Sequence, residues 1–267
     1  MQQLRLMARY ATRSPAEPFA EKLVETELGL DPRETAALVC DMWDRHWCRA
    51  ATERVAELAP TMNRLLCSLR GRGIFILHAP SSTMPFYAGH PARKRTLAAI
   101  AGSAGSAVPD TAIGWMGHTP AYEAPLPIDD SNGGCPCDPP CTVGNPWTHQ
   151  TEAIEIHDGD AIVDEGEPYA LYRERGIKNI LIMGVHTNMC VLGRAFGIRN
   201  SVGRGYRALL VRDMTDTMYD SRRRPWVDHF TGTDLVVRHI ETWWCPTIAS
   251  GQILGGPDFK FRGDTRT

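Results

Sequence analysis

The chain has 267 residues, with 29 Lys and Arg against 31 Asp and Glu, and 43% of it is hydrophobic. A net charge of -2 lacks the basic excess of a nucleic-acid-binding protein, and no apolar run approaches ~18 residues. Neither nucleic acid nor membrane is therefore expected as a partner, and the length suits one α/β domain with insertions.

Residues 1–34 form an N-terminal extension whose start, "MQQLRLMARYATRSPAEPF", is basic but has no apolar signal-peptide segment. The chain thus reads as cytoplasmic, with the mature form of an exported protein as the alternative. "TAALVCD" (35–41) is a continuous apolar run ending in an acid, the pattern of a buried parallel strand. Residues 51–73 have helical periodicity, with Pro60 inside and glycine at the end, and "IFILH" (74–78) is the next strand. The stretch 79–150 is rich in Gly, Pro, Ser and Asp and is expected as a lid or insertion, with "GSAGSAV" a flexible loop in it. "EAIEIH" (152–157) alternates like a strand, residues 167–176 read as a helix and "NILIMGV" (179–185) as a strand. Residues 190–200 read as a helix, "RALLVRDMT" (207–215) as a strand and 233–244 as a last helix capped by Thr233. Residues 246–267 are the tail. The alternation of apolar strands and helices predicts a doubly wound, mainly parallel α/β sheet flanked by helices, a Rossmann-like architecture.

Ligands of such sheets bind at the carboxyl ends of the strands. Asp41, His78, His157 and the turn from Gly184 to Cys190 should gather there, bringing an acid, two imidazoles and a thiol to one edge. Cys190 at the start of a helix meets unpaired N–H groups that favour a thiolate and stabilise an oxyanion. Asp41 is placed to act as a general base towards it. Trp43 and Trp47 in "DMWDRHWC", with His78 and Tyr87, are candidates for binding a small planar substrate. Asp44, His46 and His78 are the candidates for a divalent metal, although the chemistry outlined requires no cofactor. Arg93, in the run Arg93–Arg95, is a lid candidate, with a solvated charge run the preferred reading.

These motifs resemble those of the isochorismatase-like cysteine hydrolases, which include nicotinamidases and ureide-type amidohydrolases. An apolar strand ending in Asp is matched by "TAALVCD", and a strand followed by Gly-x-x-Thr-x-x-Cys-Val is matched by "ILIMGVHTNMCV". The resemblance implies Cys190 as nucleophile, Asp41 as base and a cis peptide at Val185–His186 beside the oxyanion position. It also implies a catalytic Lys at the end of the strand before the helix that precedes the nucleophile strand. An ungapped count puts His157 there, and none of Lys22, Lys94, Lys178 and Lys260 stands at a matching place. The expected activity is hydrolysis of a small amide or ureide C–N bond through a covalent Cys190 intermediate. The alternatives are a non-catalytic binding or scaffold protein, and a metal-dependent hydrolase.

Two further readings concern the cysteines and the assembly. Eight cysteines are present. Cys135, Cys137 and Cys141 cluster in "GGCPCDPPC" and Cys48 ends "DRHWC"; the C-x-C-x3-C spacing leaves disulfide, zinc and free thiols open. The apolar segment "HIETWWCPTIASGQILGG" predicts a homo-oligomer, as a patch too large for a monomer to expose.

Overall fold

The computed structural model describes residues 3–14, 17–102 and 113–266. Eight strands form one sheet in the order β2-β1-β8-β7-β6-β3-β4-β5. The strands are β1 (Leu4–Ser14), β2 (Glu17–Leu30), β3 (Thr35–Cys40), β4 (Phe75–Ala79), β5 (Ala161–Ile162), β6 (Asn179–Val185), β7 (Arg207–Asp216) and β8 (Thr247–Ile248). From β8 to β5 the pairs are parallel, and the β1–β2 hairpin joins antiparallel through β8. The extension is thus part of the sheet. Its period-two pattern explains this, because Leu4, Leu6 and Ala8 are buried between exposed Arg5 and Met7.

Successive residues of β3 serve opposite faces. Ala37 and Val39 pack against α1 (Arg49–Gly71) through Leu58, Leu65 and Leu66. Ala36, Leu38 and Cys40 pack on the other face with Tyr169 of α3 (Pro168–Arg175), Ile198 of α4 (Ile198–Gly203) and Val236 of α5 (His229–Trp243). Burial of each large aliphatic chain contributes roughly 1.5–3 kcal/mol. Pro60 lies on the exposed side of α1, which continues through it. α5 is capped by Asp228, which accepts from the Phe230 and Thr231 N–H groups, and starts before the expected Thr233.

Several expectations are corrected. The segment 79–150 is not all lid, since α2 (Pro91–Gly102) crosses from β4 towards β5 and packs beside α3. Arg93 on α2 is buried and paired with Glu167, its Nη2 donating to Oε1 at 2.9 Å, so it is neither lid nor solvated charge. The expected flexible loop "GSAGSAV" lies, from residue 103 on, outside the described residues. Residues 152–157 form turns and coil; the strand is the fully buried Ala161–Ile162, after the turn at 158–160. The two isoleucines that mimic a strand have another role, Ile154 packing into the core beneath α1. The C-terminal apolar segment is also packed: Ile240, Cys245, Ile248 and Ile253 are buried, partly as β8 and α6 (Gly251–Leu254). No exposed patch therefore stands behind the homo-oligomer expectation. No helix among the described residues is long and apolar enough to cross a membrane.

Candidate active site

Strands β3 and β6 pair in parallel with Cys40 opposite Gly184, so the residues that follow emerge side by side at the carboxyl edge. The approach is close enough that a Cβ at Gly184 (φ 113°) would lie 2.0 Å from the Cys40 carbonyl oxygen. Only glycine fits this position. After β6 the Val185–His186 peptide is cis, and a π-helical turn, Thr187–Val191, carries Cys190. The motif threonine fixes the turn: Thr187 Oγ1 lies 2.7 Å from Thr215 Oγ1, which donates to the Gly184 carbonyl at 2.7 Å.

Asp41 is fully buried, with φ 48°. Its Oδ1 accepts the Ser81 N–H at 2.9 Å and its Oδ2 accepts Arg194 Nε at 3.2 Å. The Cys190 thiol stands beside this ion pair, near enough for the charges of Asp41 and Arg194 to act on it. Burial pushes the Asp41 carboxyl above its ordinary value, against the pull of Arg194. Burial, followed by the Asp41 charge, pushes the Cys190 thiol well above the ordinary thiol range, and Arg194 draws it back. Burial opposes the Arg194 charge, but Asp41 and Cys190 hold its guanidinium above the usual range. Both burial and the Asp41 charge thus disfavour the thiolate that a helix start would favour. The sequence-based expectation left out the burial of the sulfur, and the dipole of so short a turn is weak against it.

Arg194 stands four residues after Cys190, so both side chains reach the same side of the turn. That spacing was visible in "CVLGR", but an arginine on a helix is ordinarily a solvated residue. Its Nη1 lies 3.9 Å from Glu165 Oε1. Glu165 follows the short β5, at the end of the strand that precedes α3. The position at which the resemblance implies Lys is therefore acidic here, and the cation reaches the thiol from the nucleophile's own turn.

His157 is not in this group. It precedes β5, at the amino edge of the sheet, and its Nε2 lies 3.0 Å from Glu155 Oε2. The ring shares a surface cluster with Glu155 and with Cys67 of the last turns of α1. The ungapped count failed because it used the false strand 152–157. His78 is likewise not in the cleft: it is buried, with Nδ1 3.1 Å from Gln150 Oε1 and Nε2 3.0 Å from Asp160 Oδ2. Tyr87 is a buried support whose hydroxyl accepts the Gln150 N–H at 2.7 Å. The three metal candidates do not converge. Asp44 accepts from Thr148 and Arg45, His46 packs against His186, and His78 faces Asp160.

An aromatic wall stands beside Asp41. Trp43 stacks on Trp147 with ring centroids 4.2 Å apart, and its Nε1 donates to the Ser81 carbonyl. His46 packs edge-on against His186 at 4.8 Å, and Trp47 lies 5.1 Å from His46 at the wall's outer end. Trp147 escaped the sequence reading because it lies in a loop more than a hundred residues after Trp43. Burial, then His46, holds the His186 imidazole well below its ordinary value, and its buried Nε2 has no hydrogen-bond partner. Asp41, Trp43, Arg45, His46, Val185 and His186 border a narrow cleft. Behind it, Asp216 is gripped by Arg54 and His229, each at 2.8 Å. Two roomier surface cavities, of about 310 and 600 Å³, are lined by none of these cleft residues. Reactive groups, and not available space, therefore locate the site.

No protein-family model matches the sequence, and no curated protein matches it. Solved structures do. A cysteine hydrolase from Pseudomonas syringae pv. phaseolicola 1448A aligns over 84% of this chain and 92% of its own, at 18% identity and a TM-score of 0.52. A putative isochorismatase hydrolase from Oleispira antarctica aligns over 84% of this chain and 97% of its own, at 13% identity and a TM-score of 0.49. An isochorismatase from Pseudomonas putida KT2440 aligns over 83% of this chain and 90% of its own, at 12% identity and a TM-score of 0.48. The mainly parallel sheet and the first of these alignments together show that the chain shares the fold of that cysteine hydrolase.

Proposed function

We propose that the protein is a hydrolase that cleaves a small amide or ureide-type C–N bond through a covalent Cys190 intermediate. The observation that carries this reading is the buried Asp41–Arg194 pair beside Cys190 at the carboxyl edge of β3 and β6. Asp41 takes the thiol proton as sulfur attacks the carbonyl carbon. The N–H groups of residues 186 and 190 receive the oxyanion, and Arg194 offsets the negative charge on sulfur and carboxylate. Collapse breaks the C–N bond, and the protonated Asp41 returns its proton to the leaving nitrogen. Water, deprotonated by Asp41, then attacks the thioester, releasing the acid and restoring the thiol.

Arg194 takes the electrostatic role that the resemblance assigns to Lys. His186, with its unpartnered Nε2, and the Trp43–Trp147 stack are the substrate contacts in this reading. Asp41, Trp43, His46 and His186 close on one another, so in this reading the aromatic wall yields to admit the substrate. Screening small amides and ureides for ammonia release tests the proposal. Wild type releases ammonia from at least one, and Cys190→Ala, folded but without the nucleophile, loses orders of magnitude in rate. Activity of Cys190→Ala within threefold of wild type would falsify the covalent mechanism and favour a scaffold role for the cysteine.

A further inference from the structure

Away from this edge, four cysteines from distant parts of the chain converge. Cys48 is the N-cap of α1, and Cys135, Cys137 and Cys141 come from the excursion between α2 and β5. The sulfurs of Cys48, Cys135 and Cys137 all lie within 4.8 Å of one another, and the Cys48 and Cys137 sulfurs are 3.9 Å apart. Cys141 packs against this trio, half-buried, outside the 4.8 Å group. We propose that these four residues form a structural zinc site that ties the excursion to the start of α1.

Geometry favours an ion over disulfides. A tetrahedral zinc with Zn–S bonds of about 2.3 Å has S···S edges of about 3.8 Å, close to the observed Cys48–Cys137 separation. A disulfide would need about 2.05 Å, and all eight cysteines are free thiols. One pair already stands at the edge length and the third sulfur lies within 4.8 Å of both, so binding an ion needs only a small contraction, with the neighbouring Cys141 side chain turning in as the fourth ligand.

The surroundings suit thiolates. The Arg49 N–H donates to Cys141 Sγ at 3.5 Å. A thiol is a weak acceptor, whereas metal-bound thiolates are ordinarily supported by such donors. The chain is shaped to bring the cysteines in: at Gly134 (φ 67°) a Cβ would lie 2.3 Å from the Met218 carbonyl. A fully sulfur donor set selects soft ions, zinc among the divalent ones. The local spacing matched no zinc motif because the remaining ligand, Cys48, lies far away in the chain.

The site has a mechanical consequence. Cys48 ends the loop that carries Asp41, Trp43 and His46. The cysteines pack against Met218 and Met189, the latter next to Cys190. An ion there would hold one wall of the cleft.

The test is metal analysis of the full-length protein, purified with zinc chloride and separately with cobalt(II) chloride, alongside a count of thiols in denaturant. The expected result is one zinc per chain, the visible spectrum of tetrahedral cobalt thiolate in the cobalt form, and eight titratable thiols after chelation. Cys135→Ser and Cys141→Ser should lower zinc content and melting temperature, while Cys67→Ser retains both. Wild-type metal content needs no variant to fold. Zinc-free protein with eight free thiols, a loss of four thiols to disulfides, or iron in place of zinc would each overturn the proposal. So would zinc lost with Cys67→Ser, which would place the ion at the Cys67, Glu155 and His157 cluster.

Discussion

Replacing Arg194 with Gln isolates the feature that most separates this site from the implied Lys arrangement. Arg194 Nε lies 3.2 Å from Asp41 Oδ2, and its side chain is only 19% exposed. At an effective dielectric of about 20 the Coulomb attraction of that pair is roughly 5 kcal/mol, before the cost of desolvating both charges. The share that concerns catalysis is smaller, since Arg194 acts on the sulfur as one hydrogen bond to a charged group. Such bonds contribute about 1.5–3 kcal/mol, which is roughly 10- to 150-fold in kcat/KM. The pH profile should change as well. Activity needs ionised Asp41, so it rises with pH through that group's raised value, and Arg194 is the counterweight that limits the rise. Without Arg194 the acid limb should move to higher pH, and Arg194→Lys should restore part of both effects. The assay is ammonia release from the best amide across pH, with melting temperature as a control for folding. A rate within threefold of wild type together with an unmoved acid limb would remove Arg194 from the mechanism.

Other substitutions test the surrounding structure. His157→Ala should leave kcat/KM within about twofold, because the ring pairs with Glu155 at the surface; a hundredfold loss would restore the role inferred from the sequence count. Gly184→Ala should cost more than about 4 kcal/mol, or leave the protein insoluble, since the new methyl meets the Cys40 carbonyl; chemical denaturation reads the loss. Asp216→Asn should cost roughly 3–5 kcal/mol by stranding Arg54 and His229. Although burial opposes it, Arg54 and His229 hold the Asp216 carboxyl well below the ordinary range. Its stabilisation is complete above about pH 4 and is lost as pH falls towards the depressed folded value. Wild-type melting temperature should therefore drop more steeply below about pH 4 than that of Asp216→Asn.

The parts of the fold legible in the sequence were those where one physical rule dominates. β3 and β6 are buried on both faces, so "TAALVC" and "NILIMGV" read as continuous apolar runs, and the residues after them mark the sheet edge. Asp41 and Cys190 followed from that placement. Elements with competing signals were misread. The β1–β2 hairpin alternates but is dense in charge, and α2 starts with "PARKR", which conceals the buried contacts of Ala92, Arg93 and Thr96. "EAIEIH" alternates for a reason other than pairing, because Ile154 anchors a turn beneath α1. Contacts across long separations left no local mark, as with Trp43 on Trp147 and Cys48 on Cys137. Arg194 is the instructive case, because its four-residue spacing from Cys190 was legible while its partner Asp41 was 153 positions away.

Rapid-quench mass spectrometry of the wild-type protein, stopped in the first turnover of the best amide found by the screen, tests the proposed covalent mechanism most directly. The account predicts a mass increase equal to the acyl part of the substrate, located on the peptide that contains Cys190 and removed by hydroxylamine as a thioester would be. Ammonia released with no adduct on Cys190 at any quench time, or an adduct on another residue, would contradict it.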